Sequence, residues 1–176
     1  MPPGAANGGV TVRSVRESDL PALAALNDGA VPNVNELGIE GLSAHVPRCA
    51  LALTVDDDAG RPAALVLALA PGAAYASENY AWFEANQPPS LYVDRIVVGE
   101  SLRSQGIGAA LYEVVFAHAS ELGLGLVSCE VNLDPPNPRS LAFHRRLGFR
   151  EVGELLTKGG STRVALLARP TEPLPG

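Results

Sequence analysis

The run Arg103-Ser104-Gln105-Gly106-Ile107-Gly108-Ala109 carries the clearest chemical signal in the chain. Ahead of it, Leu91-Tyr92-Val93-Asp94-Arg95-Ile96-Val97-Val98 reads as a strand, because Val and Ile recur without a breaker. Behind it a helix opens, with Ile107, Leu111, Val114, Val115 and Leu122 on one face. Gly106 and Gly108 have no side chain to hold a ligand off the backbone. Unpaired amides at a helix start point outward with the positive end of its dipole, so this turn is chemically a cradle for a pyrophosphate. Arg103 adds a fixed positive charge. Two other phosphate loops are excluded: the dinucleotide pattern needs a third glycine where Leu111 stands, and no Gly-Lys-Ser/Thr is present. Glycines that serve only a tight turn are the alternative reading.

A second stretch, Asn137-Pro138-Arg139-Ser140-Leu141-Ala142-Phe143-His144-Arg145-Arg146-Leu147-Gly148-Phe149, reads as a short helix. Pro138 suits its first turn, Leu141, His144 and Leu147 lie along one side, and Gly148 ends it before the strand Phe149 to Val152. The spacing Arg103-x-x-Gly106-x-Gly108 resembles the acyl-CoA pyrophosphate loop of the GNAT superfamily of N-acetyltransferases. The second stretch resembles that family's other signature, an Asn, a helix carrying a small residue and an aromatic pair, then Leu-Gly-Phe. Val10 to Leu20 is similar to its first strand and the turn into the first helix, so the likeness covers nearly the whole chain.

That resemblance implies transfer of an acetyl group from acetyl-CoA to an amine. It implies a strand-like pairing of the pantetheine arm with the backbone of Ile96, Val97 and Val98. The pyrophosphate is then expected on Arg103, Ser104, Gln105, Gly106, Ile107, Gly108 and Ala109, with Asn137 and Phe143 beside the cofactor. An alkylamine of pKa about 10.4 is almost wholly protonated at neutral pH, so a base must remove a proton before attack. Strand alternation places Tyr92, Asp94, Ile96 and Val98 on one face, and Asp94 is the first choice for that base, its pKa raised by partial desolvation. Glu130 on the neighbouring strand is the competitor, and a structural ion pair, Asp94 with Arg95, is the alternative for either. His144 departs from the family, which typically carries a Tyr there to protonate the leaving thiolate. With an unperturbed pKa near 6.5, about a quarter of a histidine is imidazolium at pH 7, so His144 is expected to act as the donor, either as imidazolium or as the neutral ring.

Between Pro71 and Ser90, Tyr75, Tyr80, Trp82 and Phe83 gather outside any periodic element. Rigid aromatic surface of this kind fits a wall over the acceptor pocket, with Tyr80 and Trp82 facing it; a plug on the sheet or a homodimer contact is the alternative. Asn33 and Asn35, in the loop Asp28 to Asn35, are further candidates for the acceptor side, against plain turn chemistry.

A net charge of -6 argues against general affinity for nucleic acid or an anionic membrane, and suits a cationic amine. The chain is 47% hydrophobic and 18% charged, as a globular domain is. Cys49 and Cys129 match no metal or redox spacing and read as reduced, buried thiols, which fits a cytoplasmic setting. No basic-then-apolar leader is visible, and the apolar run Ala63 to Ala70 is too short to span a bilayer. Residues 10–168 are expected to form a single domain, with residues 1–9 and 169–176 loose.

The elements that must position these groups follow from pattern. Strands are expected at Thr11 to Val15, Cys49 to Val55, Ala63 to Leu69, Leu91 to Val98, Leu126 to Val131, Phe149 to Val152 and Arg163 to Ala168. Helices are expected from Asp19, as cap, to Asn27, and from Glu36 to His45, besides the two above. The order predicts an α/β fold of the GNAT type: a mixed, mostly antiparallel sheet of about seven strands with helices on both faces. A small-molecule amine is the favoured acceptor. A protein N-terminus or lysine, or a module that binds acyl-CoA without turnover, are the alternatives.

Overall fold

A computed structural model describes residues 6–7 and 10–172. Its elements are β1 (Ala6–Asn7), β2 (Val10–Ser14), α1 (Leu20–Asp28), α2 (Gly38–His45), β3 (Leu51–Asp56), β4 (Pro62–Leu69), α3 (Glu78–Asn86), β5 (Leu91–Val98), α4 (Ile107–Glu121), β6 (Leu126–Asp134), α5 (Pro138–Arg146), β7 (Arg150–Thr157) and β8 (Thr162–Pro170). The strands form one sheet in the order β1-β2-β3-β4-β5-β6-β8-β7. Every neighbouring pair is antiparallel except β5 and β6. The expected seven strands are all present, with the two-residue β1 added at the edge.

β4 shows how the sheet is sandwiched. Ala64, Val66 and Ala68 pack with Leu111 and Val115 of α4, whereas Leu65 and Leu67 pack with Leu20, Leu23 and Leu42 of α1 and α2. All five β4 residues are fully buried, so helices cover both faces of the sheet. At about 25 cal/mol per Å² of apolar surface, each such leucine contributes roughly 1.5–3 kcal/mol to folding.

Four sequence expectations change. The Pro71 to Ser90 segment folds into α3, capped by the Ser77 hydroxyl, which accepts the Tyr80 N–H at 3.3 Å. Tyr80 and Phe83 are buried against Leu69, Tyr92 and Leu166. Asp19 precedes α1 but caps a preceding turn, accepting the Arg16 N–H at 2.7 Å and the Arg13 guanidinium at 2.7 Å. Leu122 lies past the end of α4 and is 47% exposed. Ala6–Asn7 pair with β2, and Arg169 and Pro170 continue β8; residues 1–5, 8–9 and 173–176 lie outside the described residues. Cys49 and Cys129 are both free thiols. Among the described residues no helix is long and apolar enough to cross a membrane.

Candidate active site

β5 and β6 pair only at Leu91 with Val127 and Tyr92 with Ser128. Beyond Tyr92 the two strands part, and the gap opens a wedge through the sheet. Two cavities meet there. One, about 530 Å³, is lined by Arg103, Ser104, Gly106, Ile107, Gly108, Ala109, Arg139 and Phe143. The other, about 230 Å³, is lined by Asn33, Asn35, Tyr75, Asn79, Asp94 and Glu130 among others. Ile96, Val98, Asn137, Ser140 and His144 line both, and so form their junction.

The larger cavity fits an acyl-CoA. Gly106 stands at φ +73° at the start of α4, and no side chain caps the helix's first amides, which face that cavity beside Arg103. Gly106 has open space where a Cβ would sit, as a turn that admits a phosphate requires. Gly108 lines the same cavity and also meets a packing demand. A Cβ there would lie 2.8 Å from the ring of Phe143, so this glycine lets α4 and α5 pack closely. Gln105 folds back, its amide donating to the Ser101 carbonyl at 3.0 Å, and does not line the cavity. Asn137 caps α5, its side-chain oxygen accepting the Ser140 N–H at 3.3 Å. Along β5 beyond Tyr92, the backbone has no ladder partner from β6, which leaves Ile96, Val97 and Val98 open to an added strand-like arm.

Asp94 sits where the regular alternation breaks. Leu67 pairs with Arg95 and Ala68 with Val93, so Asp94 is the extra residue of a β-bulge. The bulge reverses the phase of β5. Tyr92 packs on the α3 side with Tyr80 and Phe83, and Ile96 packs on the α4 side, so the single face expected for both is corrected. The Asp94 carboxylate accepts from Tyr75 Oη at 2.7 Å, from Arg95 Nε at 2.8 Å and from His45 Nε2 at 3.0 Å. Burial favours its neutral form, but the His45, Arg95 and Tyr75 contacts outweigh it and hold the carboxyl below the ordinary carboxylate range. The direction is opposite to the expected rise. Arg95 also donates to Asn27 Oδ1 at 2.9 Å and to the Asn35 carbonyl at 3.1 Å, so the Asp94 network anchors the loop that carries Asn33 and Asn35.

Glu130 has the opposite character. It lines the smaller cavity and accepts a hydrogen bond from Tyr92 Oη at 2.6 Å. Burial pushes its pKa up and the charge of Asp94 adds to that, while bonds from Tyr92 and Asn79 hold it back, to about 8. A carboxyl with that pKa is a matched acceptor for an amine's proton near neutrality.

His144 is buried at the cavity junction with both nitrogens engaged. Nδ1 lies 2.8 Å from the Ser140 carbonyl, which can only accept, so Nδ1 carries the proton. Nε2 therefore accepts the Tyr112 hydroxyl at 2.7 Å. Burial lowers the His144 pKa, so the ring is neutral at pH 7 and has no N–H directed at a departing thiolate.

Asn33 and Asn35 line the smaller cavity; Tyr80 and Trp82 do not. Tyr80 has its hydroxyl donating to the Ala70 carbonyl at 2.6 Å, and Trp82 covers Gly153, where a Cβ would lie 2.8 Å from the indole. Tyr75, from the same aromatic group, is the one that reaches the cavity, stacked on His45 at 4.7 Å. His45, Asn79 and Tyr112 have no local sequence signal, because distant elements bring them together.

Residues 39–149, more than half of the chain, match the acetyltransferase (GNAT) family. No curated protein sequence matches the chain. Among solved structures, it is similar to the ribosomal-protein-S18-alanine N-acetyltransferase from Escherichia coli at TM-score 0.68 and 19% identity, covering 94% of this chain and 96% of that one. It is similar to a phosphinothricin acetyltransferase from Sinorhizobium meliloti, solved with AcCoA, at TM-score 0.66 and 19% identity, covering 92% and 88%. A spermidine N-acetyltransferase from Vibrio cholerae gives TM-score 0.66 and 17% identity, covering 94% and 95%. At such identities the likeness is one of fold. The sequence match extends over the open strand β5, the uncapped start of α4 and the whole of α5, and with it the chain belongs to the acetyltransferase (GNAT) family of acyl-transferring enzymes.

Proposed function

We propose that the enzyme transfers an acetyl group from acetyl-CoA directly to the primary amine of a small molecule, with Glu130 as the general base. The observation that carries this is the Glu130 carboxyl, raised to about 8, on the wall of a cavity that joins the phosphate-binding cavity at the open strands. Acetyl-CoA supplies the acetyl thioester. Arg103 and the first amides of α4 hold its anionic end, and the free backbone of Ile96 to Val98 aligns its arm. As a carboxylate, Glu130 takes a proton from the neutral amine as the C–N bond forms, and the C–S bond breaks with its electron pair going to sulfur, so that CoA leaves as the thiolate.

Cavity size favours a small acceptor. The space is about 230 Å³, below the range of drug-sized pockets, roughly 300–1,000 Å³. Two hydrogen bonds join segments at its rim: Asn132 donates to the Pro32 carbonyl at 3.0 Å, and Glu78 accepts the Lys158 N–H at 3.1 Å. Similar structures include enzymes named for spermidine, for phosphinothricin and for a ribosomal protein's alanine, so fold alone does not choose the acceptor.

The test is thioester consumption over an amine panel with wild type, Glu130→Gln and Asp94→Asn. Glu130→Gln is expected to lower kcat by about 10²-fold or more at pH 7.5 with CoA affinity kept. Asp94→Asn is expected to act chiefly through KM for the amine and through stability, because it loosens the Asn33–Asn35 loop. A full rate in Glu130→Gln removes Glu130 from the chemistry. Tight CoA binding with no amine consumed marks a binding module.

A further inference from the structure

The smaller cavity reaches the hairpin between β7 and β8, where Thr157, Lys158 and Thr162 line it. Register sets that end apart from Glu130. Glu130 pairs with Leu166, and Thr162 lies four residues back along β8 on the same face as Val164 and Leu166, about 13 Å away at roughly 3.3 Å per residue. Thr157 stands directly opposite Thr162, so both side chains share that face. Both residues are buried, yet neither hydroxyl has a hydrogen-bond partner among the described residues and neither is wholly shielded, which leaves each reachable from the cavity they line. Lys158 is the only lysine in the chain, and it is exposed. It holds φ +52°, ahead of Gly159 at +67° and Gly160 at +91°, a backbone that glycine adopts freely and lysine does not. Glu78 takes its backbone N–H at 3.1 Å, but the ammonium makes no ion pair or hydrogen bond among the described residues. The other charged groups on the cavity wall are Asp94, Arg95 and Glu130. Asp94 and Arg95 cancel as a 2.8 Å pair, and Glu130, raised to about 8, is mostly uncharged at neutral pH before an amine enters. The positive charge of Lys158 is left without a counter-charge in the cavity.

We propose that the acceptor is a small amino acid in the broad sense, an amine whose carboxylate is bound by Lys158 and the hydroxyls of Thr157 and Thr162 while its nitrogen meets Glu130. The assignment rests on the acceptor reading above. One hairpin brings a cation and two O–H donors together, a set that matches the two oxygens of a carboxylate. The strained backbone at position 158 is then kept for the side chain it carries. Length follows from the register. Side chains reaching inward from both ends shorten the span between the two rows, and the remainder calls for several carbons between amine and carboxylate, not one. An exposed ion pair alone is worth about 5-fold at most, but hydroxyls on a buried wall add to it. Together about 10- to 50-fold in kcat/KM over an uncharged analogue is expected.

The measurement compares each carboxylate with its amide at saturating acetyl-CoA: glycine with glycinamide, γ-aminobutyrate with γ-aminobutyramide, δ-aminovalerate with δ-aminovaleramide. In wild type the carboxylate of the two longer pairs should lead by that factor, mainly through KM. Lys158→Gly should cut the lead about 3- to 5-fold and melt no lower than wild type, because glycine takes that backbone without strain. Thr162→Val should also cut it, and combined with Lys158→Gly should bring the ratio near one. Thr157→Val carries the same test if the change at position 162 disturbs β8. Equal rates within the longer pairs in wild type, a lead confined to glycine, or a lead untouched in the folded variants overturns the assignment and leaves the small-amine reading standing. Acetylation of butylamine or putrescine but of none of the six paired amines overturns it likewise. No amine acetylated at all overturns the acceptor reading and this assignment with it.

Discussion

Two carboxylates on adjacent strands have opposite electrostatic settings, and the donors around them decide which is which. Asp94 has three donors, one of them the buried Arg95 guanidinium, so its charge is fixed and its lone pairs are occupied. Glu130 has no cation as close, and it bears the cost of Asp94's charge. The sequence placed both on adjacent strands and ranked Asp94 first, because an acidic residue on the cofactor strand is conspicuous. What could not be read there were His45 and Tyr75, which convert Asp94 into an anchor. At position 144 the departure from the family was visible, but its meaning depends on Tyr112, a residue 32 positions away that takes up Nε2. His144→Phe is therefore expected to cost stability, about 1–3 kcal/mol, by leaving the buried Tyr112 hydroxyl unpaired. Tyr112→Phe with His144→Phe should cost less than the sum of the singles, by about 0.5–3 kcal/mol in a denaturation cycle. Additive losses, or a His144→Phe variant as stable as wild type but inactive, would return His144 to the role of proton donor.

At the scale of elements, strands and helices were legible wherever periodicity was regular, and failed where one residue interrupted it. β5 has the pattern of a strand throughout, yet the bulge at Asp94 turns Tyr92 and Ile96 to opposite sides of the sheet. Nothing in the side chains announces an extra backbone residue. α3 was missed for a different reason: its buried residues Tyr80 and Phe83 are few, and Trp82 is half-buried over Gly153, so no stripe forms on the helix. Gly108 was read as phosphate chemistry, and it lines that cavity, but the sequence did not show that it also faces the Phe143 ring. Gly108→Ala is thus expected to destabilise the protein by about 1–3 kcal/mol through the clash with Phe143, before any ligand is added. Gly108→Ala with Phe143→Leu should regain most of that loss in thermal melts. If Gly108→Ala melts as wild type and only loses CoA affinity, the helix-packing account of this glycine is wrong.

For the molecule as a whole, the pH dependence of stability follows from Glu130. Its pKa is raised from 4.5 in the unfolded chain to about 8 in the native state, so the native protein binds the extra proton between those values. Its contribution is fully favourable below about 4.5 and is lost as pH rises through about 8. Glu130→Gln, which cannot ionise, should gain in melting temperature relative to wild type from pH 5 to pH 9, with the gain levelling off above about 8. A constant difference across that range would show that Glu130 titrates as an ordinary surface carboxylate. The overall architecture itself, a mixed sheet between two helical layers, was legible from element order alone, since each strand's neighbours are mostly its neighbours in sequence. The placement of the active-site groups was not, because it depends on where one strand pair comes apart.

That separation also makes a statement about motion. An unpaired strand edge on a protein's surface invites other chains to add to it, but here the edge lies between two strands of one sheet, where only something narrow can enter. Without a partner the amides of Asp94 to Val98 that face β6 have only solvent to hold their protons, and they should exchange with deuterium faster than the rest of a strand so deeply set. Binding CoA would then close the sheet's missing seam. Exchange in this half of β5 should slow by about 10-fold or more when CoA is added, while Leu91 and Tyr92, already paired with β6, should change little. If the slowing appears only at the start of α4 and not along β5, the cofactor is held by its phosphates alone and the strand-like arm is absent. The wedge of this enzyme is in that sense an unfinished ladder, and the proposal is that the co-substrate supplies the missing rungs when it binds.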